Sequence, residues 1–279
     1  VRGKEVSKKP FLIIKEVKQL AEEGFKEIVL LGQNVNSYGQ DLDSSEKIDF
    51  ADLLLEVSKI EGIGHIRFMT SHPKDFSLKL IKAINERENI CEHIHLPLQS
   101  GSNKILKLMN RKYTREYYLD LVNNIRKYSP ETAITTDIIV GFPGEQDEDF
   151  QQTMEMVDTV KFDAAFTFVY SPRKGTPAAK FSEQVPPEIK KQRITALVKK
   201  QQEISLEKNK QYINKVLRVL VEGRSKHNKS MLTGRAGNNK IVHFPFADGL
   251  IGEFVNIKIK EARSQFLIGE KTKEGRFII

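Results

Sequence analysis

Five short polar clusters each follow an apolar run, and together they hold most of the side chains that could do chemistry. Gln33 and Asn34 follow the run 28–31, Ser71 and His72 follow 66–69, and Gln99 and Ser100 follow 94–98. Gly141 to Glu145 follow 134–140, and Ser171 with Arg173 follow 164–170. Amides, hydroxyls and glycine backbone are not a nucleophile and its base. They suit the binding of a polar ligand with amino, carboxylate and ribose groups. Arg111, at the end of the helix after Ser102, could meet an anion. Asp137 stands inside an otherwise apolar strand, where a carboxylate is costly unless it is paired or faces a polar cavity. His93 and His95 flank Ile94 and read as strand-surface or core-edge residues, not as metal ligands. His72, just before Pro73, either shapes a turn or lines a pocket. No serine lies in G-x-S-x-G, and no G-x-x-x-x-G-K-[ST] phosphate loop is present. V-G-F-P-G-E at 140–145 is not the dinucleotide fingerprint.

Those clusters need a scaffold that brings them together. Apolar residues at helical spacing predict helices over 11–24, 50–60, 78–84, 117–128 and 150–160. Ser102 is placed to cap a further helix carrying Ile105, Leu106, Leu108 and Met109. The apolar runs 28–31, 66–69, 94–98, 134–140 and 164–170 read as buried strands. Strands alternating with helices predict a parallel α/β sheet, because parallel crossovers need helices. In such sheets ligands gather at the carboxyl ends of the strands, where all five clusters fall. The chain opens on a helix, so a first strand is expected upstream of Val1. Residues 171–187 hold four prolines and read as a connection, and 188–210 as a long charged helix across the sheet edge. From Tyr212 onward short β segments (216–221, 231–234, 241–244, 254–259 and 265–269) predict a small all-β barrel.

The 279 residues carry a net charge of +8 and 39% hydrophobic side chains, enough for one large and one small domain. Charge is unevenly spread: residues 211–279 hold 13 Lys and Arg against 6 Asp and Glu. That basic tail predicts a polyanion partner such as nucleic acid. Lys226, His227, Lys229 and Arg235, with Lys240 nearby, form its candidate phosphate contacts. No apolar run is long enough for a membrane span and no signal peptide is evident, so a cytoplasmic monomer is expected. The single cysteine, Cys91, excludes an intrachain disulfide framework and any site of several thiolates within these residues. It reads as a buried or edge residue.

Four motifs in order carry a resemblance: L-L-G-Q-N-V-N-S-Y-G (30–39), R-F-M-T-S-H-P (67–73), H-L-P-L-Q-S-G-S-N-K-I-L-K-L-M-N-R-K-Y (95–113) and D-I-I-V-G-F-P-G-E (137–145). The chain resembles the radical S-adenosylmethionine methylthiotransferases over nearly its whole length. V-L-V-E-G-R-S-K (219–226) and Gly234–Arg235 resemble that family's TRAM domain, an OB-like RNA-binding barrel. The resemblance implies a partial (β/α) barrel of the radical SAM type over 1–208 and a TRAM barrel over 209–279. It implies S-adenosylmethionine and two 4Fe–4S clusters as cofactors, with a reductant and a sulfur donor as further partners. The implied reaction inserts a methylthio group at C2 of an isopentenylated adenosine beside the anticodon of tRNA, by 5′-deoxyadenosyl radical chemistry. By the same analogy Gln33 and Asn34 would meet the methionyl amino group. Ser71, Gln99 and Arg111 would meet ribose and carboxylate, Asp137, Val140, Gly141 and Phe142 ribose and adenine, and Ser100 belongs to the same cofactor-binding set. The family's cluster cysteines are expected just upstream of Val1, so the residues read here would bind neither cluster and be inactive by themselves. A sister family that modifies a ribosomal protein, a cluster-less tRNA-binding module, and an α/β barrel binding phosphate at Arg111 are the alternatives. The basic tail favours RNA over the ribosomal protein.

Overall fold

A computed structural model describes residues 6–43, 48–69, 72–226 and 228–272. Ser71 and His227 lie outside the described residues.

The α/β part follows the sequence pattern closely. α1 (Pro10–Glu22) precedes β1 (Glu27–Leu30), followed by α2 (Phe50–Ser58), β2 (His65–Phe68), α3 (Leu78–Ile84) and β3 (His93–His95). Then come α4 (Asn103–Leu108), α5 (Arg115–Tyr128), β4 (Ala133–Val140), α6 (Asp147–Val160), β5 (Ala164–Val169) and α7 (Pro187–Lys210). Side-chain caps start several of these helices. Asp49 and Asp52 form a reciprocal capping box on α2, and the Ser102 hydroxyl accepts from the Ile105 N–H on α4, as its position predicts. Proline at the first turn of α7 starts the helix without wasting a donor.

All strand pairs here are parallel, but the five strands do not form one unbroken ladder. β1 pairs with β2, and β3, β4 and β5 form a second sheet in that order. A single bridge between Ile66 and Ile90 joins the two. β3 is also shorter than the run 94–98 predicts. Pro97 has no N–H to offer the ladder. The chain regains contact at Gln99, which bridges Ile138, while the Leu98 N–H donates instead to Thr136 Oγ1 at 2.8 Å.

Leu54, Ile66, Ile94, Leu96, Tyr118, Ile134 and Phe162 fill one core between sheet and helices. A separate core of Val219, Leu232, Val242, Phe244 and Ile257 fills the second unit. That unit is a closed five-stranded barrel: β6 (Val216–Arg224), β7 (Met231–Ala236), β8 (Ile241–Pro245), β9 (Phe254–Ala262) and β10 (Leu267–Lys271). Each strand alternates buried and half-exposed side chains, the period expected of a filled barrel.

The barrel packs against the amino ends of the parallel strands. Arg67 donates to Ala236 O at 2.8 Å and Gly237 O at 3.1 Å while also holding Glu27 at 2.8 Å. Asp163, just before β5, takes Lys240 from the barrel at 2.9 Å and Lys208 from α7 at 2.7 Å. Burial alone would raise the Asp163 carboxyl, but the two ammonium groups overcome this and hold it below its usual value. His93 sits at the same seam, bonded to Thr135 Oγ1 at 2.9 Å and close to Asn239. Burial pushes its pKa down from 6.5 to about 3. The folded protein thus refuses a proton that the unfolded chain accepts. Stability should therefore fall as pH drops from 6.5 toward 3, by about 1.4 kcal/mol per pH unit from this group. Urea unfolding across that range checks it, and His93→Gln should flatten the slope.

Glu27, His65 and Cys91 bring three possible metal-ligand atoms within 4.8 Å of one another. Arg67 already neutralises Glu27, and burial drives the Cys91 thiol up to about 12. This cluster is part of the seam and does not fit a cation. His93 and His95 are buried in β3, deeper than the strand-surface or core-edge places read from the sequence.

Candidate cofactor site at the strand ends

The loops that follow the five parallel strands meet along one rim, through contacts among the described residues that run from loop to loop. Asn34, after β1, donates to Asp75 Oδ2 in the loop after β2 at 2.7 Å. His72, in that second loop, caps the short turn Pro73–Asp75 and packs edge-on to Tyr113 at 5.5 Å between ring centres. The Tyr113 hydroxyl reaches Pro97 O at 3.0 Å and Leu98 O at 3.2 Å, after β3. Gln99 then exchanges backbone bonds with β4, donating to Asp137 O at 2.8 Å and accepting from the Ile139 N–H at 2.9 Å. The Tyr170 N–H, after β5, donates to Val140 O at 2.9 Å, and the Phe142 and Tyr170 rings lie 5.0 Å apart.

Two glycines allow this rim. Gly101 passes so close to α6 that an added Cβ would lie 2.4 Å from Gln152 O. Gly141 has φ +71° and meets the Lys190 stem, where a Cβ would lie 2.4 Å from Cγ. Gln99 also has a positive φ, 67°, held by its two backbone bonds to β4.

Individual side chains fall into three groups. Gln33 is exposed at the mouth of a cavity of about 680 Å³ between α1 and β1, and Asn34 lines the same cavity. Asp137 and Arg111 are half-buried. Asp137 faces His95, 3.4 Å from Nε2, on the inner side of β4. The Arg111 Nε is buried with no hydrogen-bond partner among the described residues. Gln99, Val140 and Phe142 are buried, so only their backbone or a shift could present them. Ser100 departs from its expected place on the ligand: it is fully buried, with its hydroxyl against Thr153 and the Ser102 N–H. It braces the loop from within.

Two charged residues hold the fourth loop: Glu145, the last residue of the 141–145 cluster, and Arg193, which the sequence did not offer as a candidate. Glu145, almost wholly buried, accepts from the Gly141 N–H at 2.8 Å and pairs with Arg193 of α7 at 2.8 Å. Arg193 also holds Asp147 at 2.7 Å. Burial raises the Glu145 carboxyl above its usual value despite these partners. The signal was available: Arg193 stands one turn before the buried Leu197, and Gln201, Ser205 and Asn209 continue that buried stripe. The stripe is polar because it takes up the backbone carbonyls around β5, as Gln201 does for Phe162 O at 2.8 Å.

Residues 1–157 match the radical SAM superfamily, a stretch that covers β1 to β4, the loops after them and both Gly101 and Gly141. The chain belongs to that superfamily. Residues 210–272 match the TRAM domain, which is the closed barrel. The chain is 59% identical over 270 residues to the tRNA-2-methylthio-N(6)-dimethylallyladenosine synthase of Natranaerobius thermophilus, covering 97% of this chain and 59% of that protein. It is 55% identical over 269 residues to the synthase of the same name from Thermoanaerobacter pseudethanolicus, covering 96% and 57%. The chain thus spans about three-fifths of the length of these relatives. Among solved structures, coproporphyrinogen III oxidase of Escherichia coli aligns with a TM-score of 0.51 at 12% identity, covering 90% of this chain and 60% of that one. That likeness is one of fold.

Membership implies S-adenosylmethionine and iron–sulfur chemistry. The rim fits the first: a buried guanidinium nitrogen without a partner, an exposed amide and a glycine turn suit a carboxylate, an amine and a nucleoside. It does not fit the second. A cluster needs several thiolates, and the one cysteine is buried at the amino end of β3, away from the rim.

On the barrel, Lys226 and Lys229 are exposed. Arg235 is half-buried and pairs with Glu222 at 2.9 Å. Lys240 departs from its expected place among the phosphate contacts, because its ammonium is buried on Asp163 at the seam. Among the described residues no helix is long and apolar enough to cross a membrane.

Proposed function

We propose that this chain is the cofactor-binding core and RNA-binding tail of a tRNA methylthiotransferase that modifies C2 of N6-dimethylallyladenosine next to the anticodon, in the cytoplasm. What supports this reading is the 59% identity to relatives of that name, which runs through both the α/β part and the TRAM barrel. The unactivated C–H bond at C2 calls for a radical, which bound S-adenosylmethionine would supply once a reductant outside these residues gave it one electron. This chain's residues bind and orient it. Gln33 and Asn34 take the amino group and Arg111 the carboxylate. Asp137, at the inner face, meets the ribose hydroxyls, and the backbone at Gly141 lies along the adenine. Glu145 and Arg193 hold that turn still, and Lys190 covers it. Reductant, sulfur donor and cluster ligands come from outside these residues.

The test is the full-length enzyme expressed in cells lacking the modification, with tRNA nucleosides read by mass spectrometry. The methylthio group should appear, and Arg111→Ala should raise the cofactor Kd about tenfold, the loss of one charge-assisted bond. Nucleosides that stay unmodified would overturn the reading. For the tail, Lys226→Ala with Lys229→Ala should weaken RNA binding and lower the slope of log K against log salt by about 1–2, since each phosphate contact contributes about 0.7–0.9. An unchanged slope would remove that loop from the interface.

A further inference from the structure

At the seam between the two units lies a second cavity, of about 410 Å³, within the range of small-molecule sites. Its walls come from β5, α7 and the turn between β7 and β8. It lies at the open edge of β5, which among the described residues pairs with β4 alone. It lies beside Asp163 and Ala164, at the opposite end of the strands from the rim where Gln99 and Gly141 meet. Its wall residue Phe166 is the cross-strand neighbour of Asp137, so it adjoins the inner end of the cofactor rim.

The chemistry of the walls selects the kind of ligand. Six lining residues are amides, among them Gln201, Asn209, Asn238 and Gln265, with hydroxyls between them. Positive charge is already spent. Lys240 and Lys208 are on Asp163, and Arg235 is on Glu222 and on Asn239 Oδ1 at 3.1 Å. A phosphate would find no unengaged cation in this lining. A hydrocarbon would find too many polar groups. Phe166 adds an aromatic ring, half exposed on an edge strand.

Two amides also carry an unmet need. Gln201 Nε2 donates to Phe162 O at 2.8 Å and Ser205 Oγ at 3.0 Å, and Asn209 Nδ2 to Arg263 O at 2.7 Å and Ser264 O at 3.2 Å. These bonds fix which way each amide points. Their carbonyl oxygens are left buried and without a partner. Both oxygens are sealed from solvent, so the edge partners open to a ligand are the other amides and hydroxyls of the lining, such as Asn238, Gln265 and Ser264. A flat, uncharged group with an aromatic face, N–H donors and acceptors along its edges fits such a lining.

We propose that the seam cavity is a nucleobase subsite, taking one unpaired RNA base that carries an amino group and stacking it on Phe166. Single-stranded loops are read in this way, by stacking on aromatic rings and hydrogen bonds to base edges. The position gives the site a purpose. It is walled by both units, so a base held there registers the RNA against barrel and α/β part together. This inference rests on the reading of the chain as RNA-binding.

The test is a cycle between protein and RNA. A tRNA anticodon stem–loop is prepared with each loop base removed in turn, and affinities are measured for the wild-type chain and for Phe166→Ala. Phe166 is half exposed, so an unchanged urea midpoint serves as the folding control. Phe166→Ala should weaken the intact RNA about tenfold, within what one stacked base contributes. One abasic position should do the same, and the two together should cost no more than either alone. Additive losses, or no loss with Phe166→Ala while the Lys226 and Lys229 changes still weaken binding, would overturn the subsite and leave the RNA reading standing. No RNA binding by the wild-type chain would remove the RNA reading itself. If an extended peptide, and no RNA, protects the Thr167 amide from exchange, the open edge takes a strand and the proposal is wrong.

Discussion

Asp163→Ala should lower the unfolding free energy by about 3–5 kcal/mol, the usual cost of removing one member of a buried ion pair. The carboxylate holds Lys240 and Lys208, has Arg126 at 3.9 Å, and accepts from the Ile134 N–H at 3.0 Å. Its removal leaves two largely buried ammonium groups facing each other. The effect should also be visible in cooperativity. The ion cluster ties the barrel to α7 and to the amino end of β5. In the wild-type chain, urea transitions followed in barrel and α/β part should coincide. In Asp163→Ala they should separate, with the barrel unfolding apart from the rest. Asp163→Asn keeps an acceptor for Ile134 and should lose less. Coincident transitions in the alanine variant would show that Arg67 and the other seam contacts suffice. Acid should act on the same cluster late: the carboxylate is held below its usual value, so its contribution is present above the ordinary carboxylate range and is lost only as pH falls through that lowered value. His93 acts earlier, from about 6.5 downward.

The second large effect is expected at the cofactor rim. Glu145→Ala should cost about 3–5 kcal/mol, because Arg193 is buried too and keeps only the residue-145 carbonyl and the exposed carboxylate of Asp147. Glu145 also accepts the Gly141 N–H, so the turn over 141–144 loses the group that closes it. Hydrogen exchange at Gly141 should speed up by more than global unfolding explains. Glu145→Gln keeps an oxygen for Gly141 while giving up the charge, and should recover the slow exchange with only part of the stability. Since burial raises this carboxyl above its usual value, protonation should set in at the upper edge of the carboxylate range and mimic the glutamine variant. If both variants exchange Gly141 at the wild-type rate, the turn is held by Lys190 and Tyr170 instead.

The order of elements was legible because burial leaves a period in the sequence. The strands 28–31, 66–69 and 134–140 and the helices that follow them stand where the apolar spacing puts them, within a few residues. The gathering of the polar clusters at one rim follows from parallel topology alone. Pro97 was visible too, though the early end of β3 it causes was not foreseen. What could not be read was the fate of single polar side chains. Ser100 and Lys240 look like ligand contacts in a sequence, yet both are buried against partners far along the chain, Thr153 and Asp163. Arg193 looks like part of a solvated helix and is a buried brace.

Local spacing thus decided which segments are strands, which are helices, and that one end of a parallel sheet carries the polar loops. It did so because each depends on neighbours a few residues apart. The tertiary structure alone decided which charges are spent on each other, where the barrel sits, and that an amide-lined cavity opens at its seam. Those depend on pairs such as Asp163 with Lys240, whose distance along the chain says nothing about their distance in space.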